Sequence, residues 1–367
     1  MRIAILTRRF MRAGGGAEGY AIALAQAFAK THEVHVFCQE TDEPVPGLHY
    51  HRLWFWREKP RWLNQWVFAW TSWRATRAGF DVVHSHENTW HGQLQTIHVR
   101  PIRYNLLHGR SGWRRVLRWI KIVTSPRLLS YVVLEGARFQ PEARRHVVAA
   151  SEALRLECEA AYPATRVTAI APGVDSPTVT LPQAQARQAL GLPSDATLLL
   201  FVANDYARKG LDALLQAMAL LSDGVHLAVV GSRRPQATYE RQVQALGLQG
   251  RVHFLGPLPS VSPAYQAADA LVHPTLEDSY GMVVLEAMAH GLPVVVSASP
   301  WCGVAAELRD EDDALLLTDP KDGSALATQI ERLLGSTELQ QSLREAGLRF
   351  ASARGWPQAA LKYEALF

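Results

Sequence analysis

Short, almost wholly apolar runs alternate with longer amphipathic stretches along the whole chain, and few folds accept that alternation. In the first half the runs are "RIAIL", "EVHVF", "DVVHSH" and "RHVVAAS"; in the second they are "TLLLFVA", "VHLAVVG", "RVHFLG", "DALVHP" and "LPVVVSAS", separated by stretches such as "GLDALLQAMALL". The runs read as strands and the intervening stretches as helices, the pattern of parallel sheets covered by helices. Both periodicities fail near "APGVDSPTVTLPQ", where Pro172, Gly173, Pro177 and Pro182 interrupt them. A chain of 367 residues also exceeds what one hydrophobic core usually serves. The expectation is an α/β protein of two Rossmann-like, doubly wound domains facing a central cleft, with a hinge near the prolines.

In such sheets a ligand sits beyond the carboxyl ends of the strands, where helix N-termini point at it. The segment "EDSYGMVVLEAMAHG", residues 277 to 291, follows the run "DALVHP" and has that character. Its pattern predicts a loop, then a helix over "MVVLEAMA", stopped by Gly291 and Pro293. Asp278 and Ser279 stand at expected N-cap positions, Gly281 lets the backbone turn closely past a ligand, and the first-turn amides form an anion site. Glu286 lies seven residues beyond Ser279, roughly 10 Å along the helix axis. A nucleotide diphosphate sugar suits that length, with phosphates at the helix mouth and a ribose alongside the helix. A simple cap and a solvated glutamate would give the same spacing; against them, a carboxylate inside the apolar "MVVLEAMA" is costly to bury unpaired.

The net charge of +4 is modest but uneven: from Arg100 to Arg127 there are eight Lys or Arg and no Asp or Glu. From Arg52 to Arg77 six basic residues stand against Glu58 alone. A local basic face calls for an anionic partner, while the overall charge is too low to favour nucleic acid. Cys38, Cys158 and Cys302 are widely spaced, so neither a disulfide framework nor structural zinc is expected. No stretch reads as a membrane span, and the apolar run after Arg2 is too short for a signal-peptide core, which places the protein in the cytoplasm.

The stretch "HPTLEDSYGMVVLEAMAHGLPVVVS" resembles the signature of the retaining glycosyltransferase family 4, in which an acidic residue, seven intervening residues and a glutamate bind the sugar nucleotide. "GGGAEGYAIALAQAFAKTHEVHVF" is similar to that family's glycine-rich acceptor-side loop and helix, "APGVD" to its interdomain segment, and "ARKGLDALLQA" to its basic diphosphate contact. "RGWPQAALKYEALF" resembles its final helix, and the "RKG" form looks nearest to the bacterial lipopolysaccharide-core glucosyltransferases. The stretch from Arg52 to Arg127 matches least.

The resemblance implies the GT-B fold: an acceptor-binding domain over residues 1–172, a nucleotide-sugar-binding domain over 173–350, and a C-terminal helix over 351–367 packing on the first domain. It implies a retaining transfer of a hexose, without metal or other cofactor, from a UDP-linked donor to a lipopolysaccharide-core or related glycan or glycolipid. By position, Arg208 and Lys209 neutralise the diphosphate, Glu286 binds the ribose, and Ser279, Tyr280, Gly281, Met282 and Val283 offer backbone amides. Gly15 and Gly16 approach the donor from the other domain, and His98 resembles a histidine that touches the donor sugar. Asp278, His98, Arg208 and Lys209 are the expected catalytic set, with no carboxylate nucleophile assigned. Asp278 departs from the family's usual glutamate by one methylene, and Glu277 beside it is placed to share its role. A non-catalytic sugar-nucleotide binder, or an epimerase or phosphorylase of related fold, are the other classes considered.

His84 and His86 share one strand face in "VVHSHENTWH", but no carboxylate or cysteine pair completes a metal site. Trp62, Trp66, Trp70 and Trp73 recur at helical spacing among cations. Such a stripe suits the cytoplasmic membrane surface or an anionic glycolipid, and packing on the first domain's core explains it equally well.

Overall fold

The computed structural model describes residues 1–11, 15–42, 44–55, 59–109, 111–233 and 236–367. It divides into two units, Met1–Pro172 with Trp356–Phe367, and Gly173–Gly355. The expected boundary at residue 350 falls inside the helix Thr337–Ser352, which the second unit keeps entire.

The sheet of the first unit has seven parallel strands, in the order Leu48–Arg52, Glu33–Cys38, Arg2–Leu6, Val82–Ser85, Leu94–Ile97, His146–Ala149, Val167–Ala169. Ile3, Ala4, Ile5 and Leu6 are wholly buried, as a central strand covered on both faces requires. Chain order reverses between Arg2–Leu6 and Val82–Ser85. The helix Trp356–Glu364 packs on the helix Gly16–Phe28 of this unit. There the buried Tyr363 hydroxyl bonds to the hydroxyls of Tyr20 (2.8 Å) and Thr96 (2.9 Å), and the Trp356 ring meets Tyr20 edge-on at 5.0 Å.

The second unit carries six parallel strands, in the order Val252–Gly256, Val225–Gly231, Thr197–Ala203, Ala270–His273, Val294–Ser297, Leu315–Leu317. Leu199, Phe201, Leu227, Val229, Val272 and Val295 from its strands meet Leu214, Met218 and Ile330 from the helices in one core. The order reverses between Thr197–Ala203 and Ala270–His273. The loops leaving those two strands, residues 204–210 and 274–281, therefore diverge at the point where an open α/β sheet receives its ligands.

Candidate active site

The two diverging loops of the second unit are laced together by their backbones. The Leu276 amide donates across to the Arg208 carbonyl (2.9 Å), and within the first loop the Lys209 amide donates to the Asp205 carbonyl (3.0 Å). Gly210 turns through the left-handed region at φ 82°, and a methyl group added there would overlap the Pro274 carbonyl. Side chains complete the lacing: Lys209 Nζ lies 2.6 Å from Asp278 Oδ2 and donates to the Glu277 carbonyl at 2.9 Å. Arg208 remains about half exposed, with Asp205 at 3.8 Å.

Asp278 does not cap the following helix, and neither does Ser279. That helix is Met282–Ala289, matching "MVVLEAMA", and its N-cap is Gly281 in the left-handed conformation at φ 97°. Three extra loop residues thus separate Asp278 from the helix, and its carboxylate turns to Lys209 instead. The backbone of Asp278 is clamped by its amide to the Trp301 carbonyl (2.8 Å) and by its carbonyl from the Gly303 amide (3.0 Å). Its Oδ2 also accepts from His273 Nε2 at 3.1 Å, and its Oδ1 accepts from the Tyr280 amide at 3.4 Å. Burial pushes this carboxyl up, but the His273 hydrogen bond and the Lys209 ammonium outweigh it and hold it well below the ordinary carboxylate range. Burial likewise lowers the pKa of His273, favouring the neutral ring.

Among the described residues, no hydrogen bond occupies the backbone amides of Ser279, Gly281, Met282 or Val283, whereas Val284 already donates to the Gly281 carbonyl (3.0 Å). Open amides at a helix mouth attract an anion. Tyr280, expected among these donors, has its amide committed to Asp278 and its ring buried. Glu286 is half-buried on the helix; its Oε2 accepts from the Tyr265 hydroxyl at 2.7 Å, and burial raises its pKa. Sequence reasoning singles out neither His273 nor Tyr265; the one available hint is the His of "DALVHP", the last residue of the strand Ala270–His273.

Gly15, Gly16 and His98 belong to the first unit. Gly15 precedes the helix Gly16–Phe28 in extended conformation, and Gly14 of the glycine-rich run lies outside the described residues. His98 stacks on His86 at 5.1 Å, with its Nε2 2.8 Å from His86 Nδ1. His84 bonds Thr96 at 2.7 Å. Burial lowers all three histidines, His84 and His98 to about 3. Among the described residues no group of three His, Cys, Asp or Glu is placed to hold a metal ion. A polar cavity of about 70 Å³ lies beyond the strand ends of this unit, lined by Arg8, Arg9, Gln39, Arg61, Asn64 and Glu87 among others.

The tryptophan stripe lies on one helix, Arg61–Thr76, but the residues that helix buries are Asn64, Gln65, Phe68, Ala69, Ser72 and Thr76. Trp70 and Trp73 are exposed, so the stripe as a whole is not a core face. Arg57 and Glu58 of the basic stretch lie outside the described residues. The other basic stretch contains the helix Gly112–Thr124, which buries only Ile122. Among the described residues no helix is long and apolar enough to cross a membrane.

Residues 182–350 match the family model for glycosyl transferases group 1, and residues 14–176 that for glycosyltransferase family 4. The D-inositol 3-phosphate glycosyltransferase of Xylanimonas cellulosilytica is 33% identical over 313 residues, 77% of this chain and 70% of that protein. The lipopolysaccharide glucosyltransferase WaaG of Escherichia coli is 31% identical over 172 residues, 46% of this chain and 45% of its own. In fold, the crystal structure of WaaG has a TM-score of 0.82 at 21% identity over 98% of both chains. Sucrose-phosphate synthase of Thermosynechococcus elongatus reaches 0.79 at 23% identity, covering 100% of this chain and 98% of that one. Two Rossmann-like domains with these matches leave one conclusion: the chain belongs to the GT-B glycosyltransferases of group 1 and family 4, and it is an enzyme of that class.

Proposed function

We propose that the enzyme transfers a hexose from a nucleotide diphosphate sugar, with UDP as carrier, to a lipopolysaccharide-core or related glycan or glycolipid, retaining the anomeric configuration. The observation that carries this reading is the open set of amides at Ser279, Gly281, Met282 and Val283 on the same pair of loops as Arg208 and Lys209. Fixed cations and helix-mouth amides stabilise charge on a departing diphosphate without reorganising during the reaction, so the step needs no metal. In that step the acceptor oxygen bonds to the anomeric carbon, the bond from that carbon to the phosphate oxygen breaks, and the acceptor proton passes to the departing phosphate. Glu286, its Oε2 held by Tyr265, pairs with the ribose hydroxyls. The polar cavity of the first unit, with arginines, carboxylates and amides on its wall, suits the hydroxyls of a glycan acceptor.

The lipopolysaccharide side of the reading draws on the WaaG relative, and the inositol phosphate relatives make a phosphorylated polyol the competing acceptor. We assign the enzyme to the cytoplasm, peripheral on a membrane face. The observation favouring this is the helix Gly112–Thr124, which exposes Trp113, Val116, Leu117, Ile120 and Val123 beside Arg114, Arg115, Arg118 and Lys121.

Hydrolysis of a nucleotide-sugar panel by the purified protein, followed by transfer to both acceptor classes with the product anomer read by nuclear magnetic resonance, tests the proposal. Lys209→Ala and Glu286→Ala should each lower turnover by about 100-fold while leaving the circular dichroism spectrum unchanged. Full activity in both variants would refute the site, and binding of UDP without turnover of any donor would favour a non-catalytic binder.

A further inference from the structure

We propose that Asp278, with His273 behind it, is a positioning residue that aims the Lys209 ammonium at the leaving diphosphate and does not itself hold the donor sugar. This rests on the donor-site reading above and changes the role of one residue within it.

The first argument is a count of donors. An ammonium has three N–H groups. Asp278 Oδ2 at 2.6 Å and the Glu277 carbonyl at 2.9 Å take two of the three on Lys209. In a tetrahedral group two fixed bonds fix the direction of the third, so Lys209 offers one oriented hydrogen bond rather than a mobile charge. Both anchors are rigid. Asp278 is held through its own amide and carbonyl by Trp301 and Gly303, and the loop of Lys209 is tied to residues 274–276 through Arg208 and Gly210.

The second argument is a count of acceptors. A carboxylate has about four lone-pair sites. Oδ2 of Asp278 serves Lys209 and His273, and Oδ1 serves the Tyr280 amide. That leaves one site, on Oδ1, so the carboxylate is committed chiefly to Lys209 and His273 and has little left for a sugar hydroxyl. The third is His273. Its ring is buried, its Nδ1 has no hydrogen-bond partner among the described residues, and its Nε2 faces Asp278, so the ring proton sits on Nε2 and the imidazole acts as a neutral strut. The aspartate at position 278 is long enough for this purpose, its carboxylate reaching both His273 and Lys209. Charge divides accordingly. Lys209 and Asp278 cancel, both side chains less than one-fifth exposed, and Arg208, half exposed and loosely paired with Asp205 at 3.8 Å, is the cation free to turn to the anion.

In the reaction the electron pair of the breaking carbon–oxygen bond goes to the diphosphate oxygen, where the third Lys209 N–H hydrogen-bonds to the growing charge. No proton leaves the ammonium.

A double-mutant cycle on the full chain tests this, using UDP-glucose hydrolysis together with calorimetry of UDP and UDP-glucose. Asp278→Asn should lower kcat about 10- to 100-fold with KM changed less than about threefold, and should cost less than about threefold more when Lys209→Ala is already present. Its effects on UDP and UDP-glucose affinity should match. His273→Asn should reproduce the kcat loss and its dependence on Lys209, and His273→Gln, which restores a donor near the Nε2 position, should recover most of it. The His273 pair carries the test if Asp278→Asn fails to fold. Losses at Asp278 and Lys209 that simply multiply, with UDP-glucose binding weakened and UDP binding untouched, would overturn the proposal alone. Wild-type protein that binds neither ligand would overturn the donor-site reading and this proposal together.

Discussion

Gly210 shows how closely the site depends on single atoms. Its left-handed backbone and the Pro274 carbonyl leave no room for a side chain, so Gly210→Ala must push apart the two loops that hold Arg208 and Lys209 against residues 274–278. We expect a loss of about 3 kcal/mol in the stability of the second unit, read as a lower urea midpoint, together with weaker nucleotide binding. An unchanged midpoint would mean that the loops are not packed as described. Residue by residue, the sequence carried the motif better than its contacts. The spacing of Asp278 and Glu286 and the adjacent Arg208 and Lys209 stand out in the string, because each is a local pattern. That Asp278 faces Lys209 and His273 rather than capping a helix depends on two strands lying side by side, and no local pattern encodes that.

Long or wholly apolar elements followed directly from their period: "RIAIL" is the strand Arg2–Leu6, "TLLLFVA" is Thr197–Ala203, and "MVVLEAMA" is the helix Met282–Ala289. The strands Leu48–Arg52 and Leu94–Ile97 escaped the same reasoning for opposite reasons. "LHYHR" is an edge strand with exposed polar residues, and "LQTI" buries Gln95 and Thr96, which Arg138 and Tyr363 satisfy from distant elements. The next strand, Val82–Ser85, sets up a titration. Its His84, with His86 just beyond it and His98, is pushed by burial below the ordinary histidine range. The unfolded chain takes up those protons near pH 6.5 and the folded chain does not. Stability should therefore fall as pH drops from about 6.5 towards 4, by up to about 1.4 kcal/mol per pH unit for each ring. Of the chain's 11 tryptophans only Trp301 lies in the second unit, so fluorescence-detected urea unfolding at pH 7.5 and pH 5 follows the first. Equal midpoints would show that the rings are solvated. The helix Gly112–Thr124 makes a separate prediction. Val116→Asp with Ile120→Asp should reduce sedimentation with vesicles containing anionic lipid at least about tenfold and leave neutral vesicles unaffected, while donor hydrolysis continues. Retained sedimentation would remove this helix as the contact.

The composition of the first unit, Met1–Pro172 with Trp356–Phe367, makes its stability depend on residues far away in sequence. Deleting Trp356–Phe367 removes the wholly buried Tyr363 and its bonds to Tyr20 and Thr96. That should cost the first unit about 3 to 5 kcal/mol, as removal of a large aromatic from a core does. The second unit should keep its own unfolding transition. Loss of both transitions together would mean that the units do not fold independently.

The same arrangement bears on synthesis. The strands of the first sheet leave the ribosome early, but the helix that seats Tyr363 on Tyr20 and Thr96 follows only when all of Gly173–Gly355 has been translated. For that interval the nascent first domain leaves Tyr20, Phe28 and Thr96 without their Tyr363 partner, and it is then that a chaperone would have most to hold.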